Sequence, residues 1–168
     1  MIVVVAGVAG SGKTTVGELL ASRLGWTFAD GDAFHPPANV AKMHAGTPLS
    51  DADRWPWLRA IAAWMDERIA AGESAVVACS ALHRGYRDLL LDGRPAARMA
   101  FLVVGHDADV ARLGLRQGHF FPQQLLDSQF ADLEPPQPSE RVQLVPATGS
   151  PAQVTDEIIA DLGITRPG

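Results

Sequence analysis

A chain of 168 residues with a formal net charge of −5 is long enough for one α/β domain with a substantial core and too short for two comfortable ones. The acidic balance argues against a nucleic acid or an anionic membrane as the main partner, since those contacts need a basic field, but it is compatible with a small polyanion where basic side chains converge. Cys79 is the only cysteine, so no internal disulfide can form, and its apolar surroundings predict a buried, reduced thiol.

The first apolar run, Ile2–Ala6, predicts a strand that leads directly into Gly7-Val8-Ala9-Gly10-Ser11-Gly12-Lys13-Thr14 and then a helix. This string fits the phosphate-loop pattern G-x-x-x-x-G-K-[ST] at every position. Gly7, Gly10 and Gly12 let the backbone bend so that successive N–H groups, with Ser11 and Thr15, face phosphate oxygens at a helix N-terminus. Lys13 reaches the β/γ-phosphates, and the Thr14 hydroxyl is a ligand for Mg²⁺. The expected ligand is a nucleoside triphosphate; the loop alone does not say whether it is ATP or GTP.

A second strand is predicted at Trp26–Ala29, and its carboxyl end carries Asp30-Gly31-Asp32-Ala33-Phe34-His35-Pro36. Two acids one residue apart on an extended backbone point to opposite sides, so one can face a metal and the other an acceptor. The alternative is an acidic turn in which Gly31 supplies an unusual φ. Leu58, Ile61, Ala62, Met65 and Ile69 then recur at helical spacing, with Pro56 expected in the first turn of that helix. Further strands are predicted at Ala75–Cys79, Met99–Val104 and Val142–Val145. Arg112 and Arg116 share a helical face before the Gly118 hinge, and the stretch Arg112–Gln124, within a region reaching to about residue 130, reads as a mobile lid. Glu134 to Ser139 is an irregular, proline-rich connection. Ser150-Pro151 predicts an N-cap and first helical residue for a last helix with Val154, Ile158 and Leu162 inward.

Short strands alternating with helices imply a parallel sheet with right-handed crossovers and helices on both faces, and ligands at the carboxyl ends of the strands. No basic leader precedes the first strand and no stretch approaches membrane-spanning length, so a soluble cytoplasmic protein is expected.

Several strings together resemble the small phosphate-loop gluconokinases. They are Gly7 to Thr14, Asp30-Gly31-Asp32 with His35-Pro36, Asn39-x-x-Lys42-Met43, and Gly46-x-Pro48-Leu49-x-Asp51-x-Asp53-Arg54-x-Pro56-Trp57-Leu58. Cys79-Ser80-Ala81-Leu82, Tyr86-Arg87-Asp88-Leu89-Leu90, Gly118-His119-Phe120-Phe121, Gln129-Phe130 and Leu133-Glu134 extend the likeness over most of the chain. The resemblance implies transfer from ATP to D-gluconate, giving 6-phosphogluconate, with Mg²⁺. It also implies a three-layer α/β sandwich whose five parallel strands run 2-3-1-4-5, and it suggests a homodimer.

On that reading Asp32 receives the proton of the 6-hydroxyl and Asp30 holds Mg²⁺ through water, roles that could be exchanged. Arg54 or Arg87 supplies the guanidinium for the gluconate carboxylate. His35, Lys42 and His119 contact hydroxyls or help close the pocket, and Arg116, ahead of Arg112, stabilises charge on the transferring phosphoryl group. Trp55 and Trp57, beside Arg54, either pack in the core or wall the sugar pocket. Two positions depart from the family pattern: His83 stands where a lysine commonly follows Cys-Ser-Ala-Leu, and Pro146 to Ser150 lacks the aspartate often seen beside the base. A preference for ATP is therefore inherited from the family. The remaining alternatives are a kinase for another small hydroxylated acid such as shikimate, and a nucleotide-dependent switch.

Overall fold

Ile2–Ala6 (β1) is five apolar residues, all buried, and a strand with no wet face belongs in the middle of a sheet covered on both sides. The computed structural model describes residues 1–105 and 123–166, with side chains in the second stretch described from residue 127 onward. β1 is flanked by β3 (Ala75–Ala78) and β4 (Ala97–Val103), and the edges are β2 (Thr27–Asp30) and β5 (Val142–Pro146). All pairs are parallel and the order is β2-β3-β1-β4-β5, as expected.

The helices are α1 (Lys13–Leu24), α2 (Pro37–His44), α3 (Asp51–Ala70), α4 (Arg84–Leu91), α5 (Gln123–Asp132) and α6 (Pro151–Asp161). Alternate residues of β1 feed two cores. Ile2, Val4 and Ala6 pack with Leu58, Ile61 and Met65 of α3 and Leu90 of α4. Val3 and Val5 pack with Leu20 and Leu24 of α1 and Val154 and Ile158 of α6. The result is a three-layer sandwich with its loops of interest at the carboxyl ends of β1, β2 and β3.

Strand boundaries differ from expectation at their ends. β2 includes Asp30, which pairs with Ala78, and β4 starts at Ala97, which pairs with Ile2; neither an acid nor small alanines next to Pro95 and Arg98 carry a strong strand signal. The larger difference is at Pro56, which lies inside α3 and not in its first turn. α3 begins at a capping box in which the Ser50 hydroxyl accepts the Asp53 N–H and Asp53 accepts the Ser50 N–H. Proline is tolerated beyond the first turn because Ala52, whose carbonyl loses its usual partner, is exposed and left to water.

Candidate active site

The phosphate loop leaves the central strand and is tied down at once, since the Gly7 N–H donates to Ser80 O, just beyond β3, at 3.2 Å. A Cβ on Gly7 would sit 2.9 Å from Leu102 O and 2.8 Å from Ser11 Oγ, so the loop can fold back this tightly only over glycine. Gly10 and Gly12 take positive φ, and Gly12 caps α1 without any side-chain bond, which leaves the first-turn N–H groups of α1 to a ligand. Ser11 Oγ is buried with no hydrogen-bond partner among the described residues, an orphan that a phosphate oxygen would satisfy. Lys13 Nζ donates to Val8 O at 2.9 Å, bracing the loop from inside, and Thr15 is exposed on the first turn of α1.

Thr14 and the β2 acids meet directly. Thr14 Oγ1 donates to Asp30 Oδ2 at 3.3 Å, while Asp30 Oδ1 accepts the Asp32 N–H at 3.0 Å and so caps the 3₁₀ turn Gly31–Phe34. The unusual φ that the acidic-turn alternative assigns to Gly31 is absent: its φ is not positive, and its need is space, because a Cβ would lie 2.3 Å from Ala78 O. Trp57 Nε1 donates to Gly31 O at 2.7 Å and locks the turn from the α3 side. Asp32 reaches solvent, but the surrounding wall strips much of the water that would solvate its charge. This desolvation, reinforced by Asp30, raises its pKa, with Lys13 and His35 opposing. A hydroxyl beside a carboxylate oxygen is a hard-cation donor set, and no group of three or more His, Cys, Asp or Glu forms a cage among the described residues. That combination fits Mg²⁺, which takes few protein ligands and relies on water and phosphate.

His35 lies flat on Trp57, with centroids 4.2 Å apart and planes at 15°. Buried Asn39 donates from Nδ2 to His35 Nδ1 (3.2 Å) and to Asp53 O (2.8 Å), which leaves the ring proton of neutral His35 on Nε2. Burial lowers the His35 pKa, and Arg54 lowers it further against the pull of Asp32. Lys42 Nζ donates to Asp53 Oδ2 at 2.7 Å; this bond, with those from Ser50, holds the Asp53 carboxyl down at about 2. Arg54 is mostly covered, donates to Tyr86 Oη at 3.3 Å, and faces Asp132 Oδ2 at 3.7 Å. Tyr86 in turn donates to Asp51, meets Trp55 edge-on, and stacks on His83, whose Nδ1 lies 3.7 Å from Glu134 and 3.8 Å from Asp51.

Arg87 requires a correction. Its guanidinium is not presented to a gluconate carboxylate: the residue is fully buried, with Nε and Nη2 on Glu140 (2.7 and 3.1 Å) and Nη1 on Ala81 O and Leu82 O. This clamp fixes the turn after β3, where Ala81 takes φ +45°. Arg112, Arg116 and His119 lie outside the described residues, as does most of the expected lid; its end, from Gln123, belongs to α5.

A phosphate loop facing a carboxylate across a metal-compatible pair is the outline of a small-molecule kinase. The sequence model of the family described as Shikimate kinase matches residues 9–119. A gluconokinase of Gluconobacter oxydans (strain 621H) is 47% identical over 156 residues, covering 93% of this chain and 88% of that protein. The chain belongs to the gluconokinase family. The thermoresistant gluconokinase of Escherichia coli (strain K12) is 42% identical over 86% of this chain and 82% of its own length. The crystal structure of a gluconokinase from Sinorhizobium meliloti 1021 superposes with a TM-score of 0.86 at 44% identity, covering 96% of this chain and 90% of that one. The chain is thus a phosphotransferase on the expected fold.

For this gluconokinase-family chain, the sequence reading left unassigned Asn39, Tyr86 and Gln129, whose Oε1 accepts the Ala9 N–H at 2.7 Å. Asn39 is four residues after His35 and could have been found by that spacing. Tyr86 and Gln129 stand in strings that carry the family resemblance, but nothing local gives them a role, because their partners are distant in sequence.

Proposed function

We propose that the chain phosphorylates the 6-hydroxyl of D-gluconate with ATP, with Asp32 receiving the hydroxyl proton as O6 attacks the γ-phosphorus and the bond to the β,γ-bridging oxygen breaks. ADP leaves with that electron pair. The observation that carries the reading is the tie between the phosphate loop and the acid pair: Thr14 donates to Asp30 Oδ2 at 3.3 Å, and Asp30 Oδ1 accepts the Asp32 N–H at 3.0 Å, which holds the second acid next to the phosphate site. The raised pKa of Asp32 makes it a better proton acceptor than an ordinary carboxylate. Lys13 supplies positive charge to the phosphates, and the loop N–H groups orient them. Bound Mg²⁺, held by Thr14 and Asp30, would neutralise phosphate charge.

On the acceptor side, Arg54 is the guanidinium proposed for the gluconate carboxylate, now without Arg87 as a rival. The Nε2–H of His35 is a fixed donor for a hydroxyl, and Trp57 sets its plane. Lys42 is proposed to act at the rim, since Asp53 already holds its ammonium. Arg112, Arg116 and His119 keep their proposed roles around phosphate and acceptor. No helix of the described residues is long and apolar enough to cross a membrane, and Cys79 is a buried thiol, which support a cytoplasmic setting. ADP release with gluconate, shikimate, glucose and no acceptor tests the proposal. Gluconate should be preferred by a wide margin, whereas equal ADP release without acceptor would sink it.

A further inference from the structure

Two residues on one face of α5 hold the two halves of the site. Gln129 and Asp132 are three apart, hence neighbours on the helix surface. Gln129 Oε1 accepts the Ala9 N–H of the phosphate loop at 2.7 Å. One turn on, Asp132 Oδ2 stands 3.7 Å from Arg54 Nη2. The first contact uses a donor of the kind the loop offers to a phosphate oxygen. The second sets a carboxylate against the cation proposed for the substrate's carboxylate, so the inference rests on that reading of Arg54.

We propose that Gln129 and Asp132 are positioning residues that tie the phosphate loop to the acceptor cation through α5, so that each ligand displaces one contact and eases entry of the other. An N–H carries a single hydrogen, so a phosphate oxygen that takes the Ala9 donor displaces the Gln129 carboxamide. A substrate carboxylate brought to Arg54 repels Asp132, a like charge at the same guanidinium. Because both side chains project from one helix, loss of either contact weakens the hold of the other. The ligand arriving second then meets less competition, which is a coupling free energy between two sites and must act equally in both directions.

The test is a binding cycle by titration calorimetry, using gluconate and the Mg²⁺ complex of the non-hydrolysable β,γ-imido analogue of ATP. Each is titrated with and without saturating amounts of the other into the wild type, Gln129→Ala and Asp132→Asn. The wild type should show each ligand tightening the other by about fivefold or more. Gln129→Ala should tighten gluconate binding in the absence of nucleotide, Asp132→Asn should tighten nucleotide binding in the absence of gluconate, and both should bring the coupling factor toward one. A merely structural role moves neither cross-affinity. A wild-type factor of one, or variants that change only the adjacent ligand and leave the factor intact, overturns the proposal. Arg54→Met separates the two ideas: unchanged gluconate affinity there refutes the carboxylate reading, and the Gln129→Ala arm still decides the coupling.

Discussion

Asp30 caps the backbone of Asp32: its Oδ1 accepts the Asp32 N–H at 3.0 Å while its Oδ2 accepts Thr14 Oγ1 at 3.3 Å. The first acid thus ties the turn to the phosphate loop, and the second is presented at the mouth with its charge partly desolvated. Their roles should separate on mutation. Asp32→Asn should remove most transfer while Mg–nucleotide affinity stays near wild type, because the amide keeps the shape and cannot accept the proton. Nucleotide affinity that collapses together with kcat would put Asp32 at the metal and exchange the assignments.

Lys13 is braced on Val8 O at the centre of the loop. Lys13→Ala should lower kcat by roughly 100- to 1000-fold, the scale of losing one charge stabiliser, with an unchanged circular dichroism melt. Turnover close to wild type in a folded variant would remove Lys13 from the mechanism.

Arg54 is the arginine proposed for the gluconate carboxylate. A charge-assisted hydrogen bond contributes about 1.5–3 kcal/mol, so Arg54→Met should cost roughly 10- to 150-fold in kcat/KM for gluconate. Glucose offers no carboxylate and should lose much less, narrowing the ratio between the two. Equal losses would make Arg54 a shaping residue of the Tyr86–Asp51 wall.

The Arg87–Glu140 clamp belongs to stability. Removing one partner of such a buried pair costs about 3–5 kcal/mol, so Arg87→Met should melt well below wild type, with the KM for gluconate little changed at a permissive temperature. The hydrogen bonds from Arg87 hold the Glu140 carboxyl below the ordinary glutamate range, so this stabilisation is fully present above the unfolded-state value and is lost as pH falls through the folded one. Thermal melts across that acid range should fall less steeply for Glu140→Gln than for wild type; parallel slopes would contradict the assignment.

The legible parts of the chain were those whose signal is contiguous. β1 and the phosphate loop declare themselves in thirteen consecutive residues, Ile2 to Thr14, because a buried central strand must be apolar throughout and a phosphate cradle must be made of glycine and backbone. The start of α3 is hard to read because Pro56 is a strong first-turn residue, whereas the Ser50-x-x-Asp53 cap that governs is a weaker pattern. The burial of Arg87 is not legible in the sequence, since its partner, Glu140, lies 53 residues away and a buried arginine leaves no periodicity to read. The Ala9–Gln129 bond spans 120 positions and is likewise a product of the tertiary fold. The need for glycine at Gly31 is not legible in the sequence, as only the register of β2 against β3 reveals Ala78 O beneath it.

The most direct test of the central claim is the structure of the product. Incubation with ATP, Mg²⁺ and ¹³C-labelled gluconate, followed by ³¹P and ¹³C NMR, should give one phosphate monoester whose phosphorus couples to C6, formed in step with ADP. A phosphoryl group on another carbon, or inorganic phosphate as the main product with gluconate unaltered, would contradict the account.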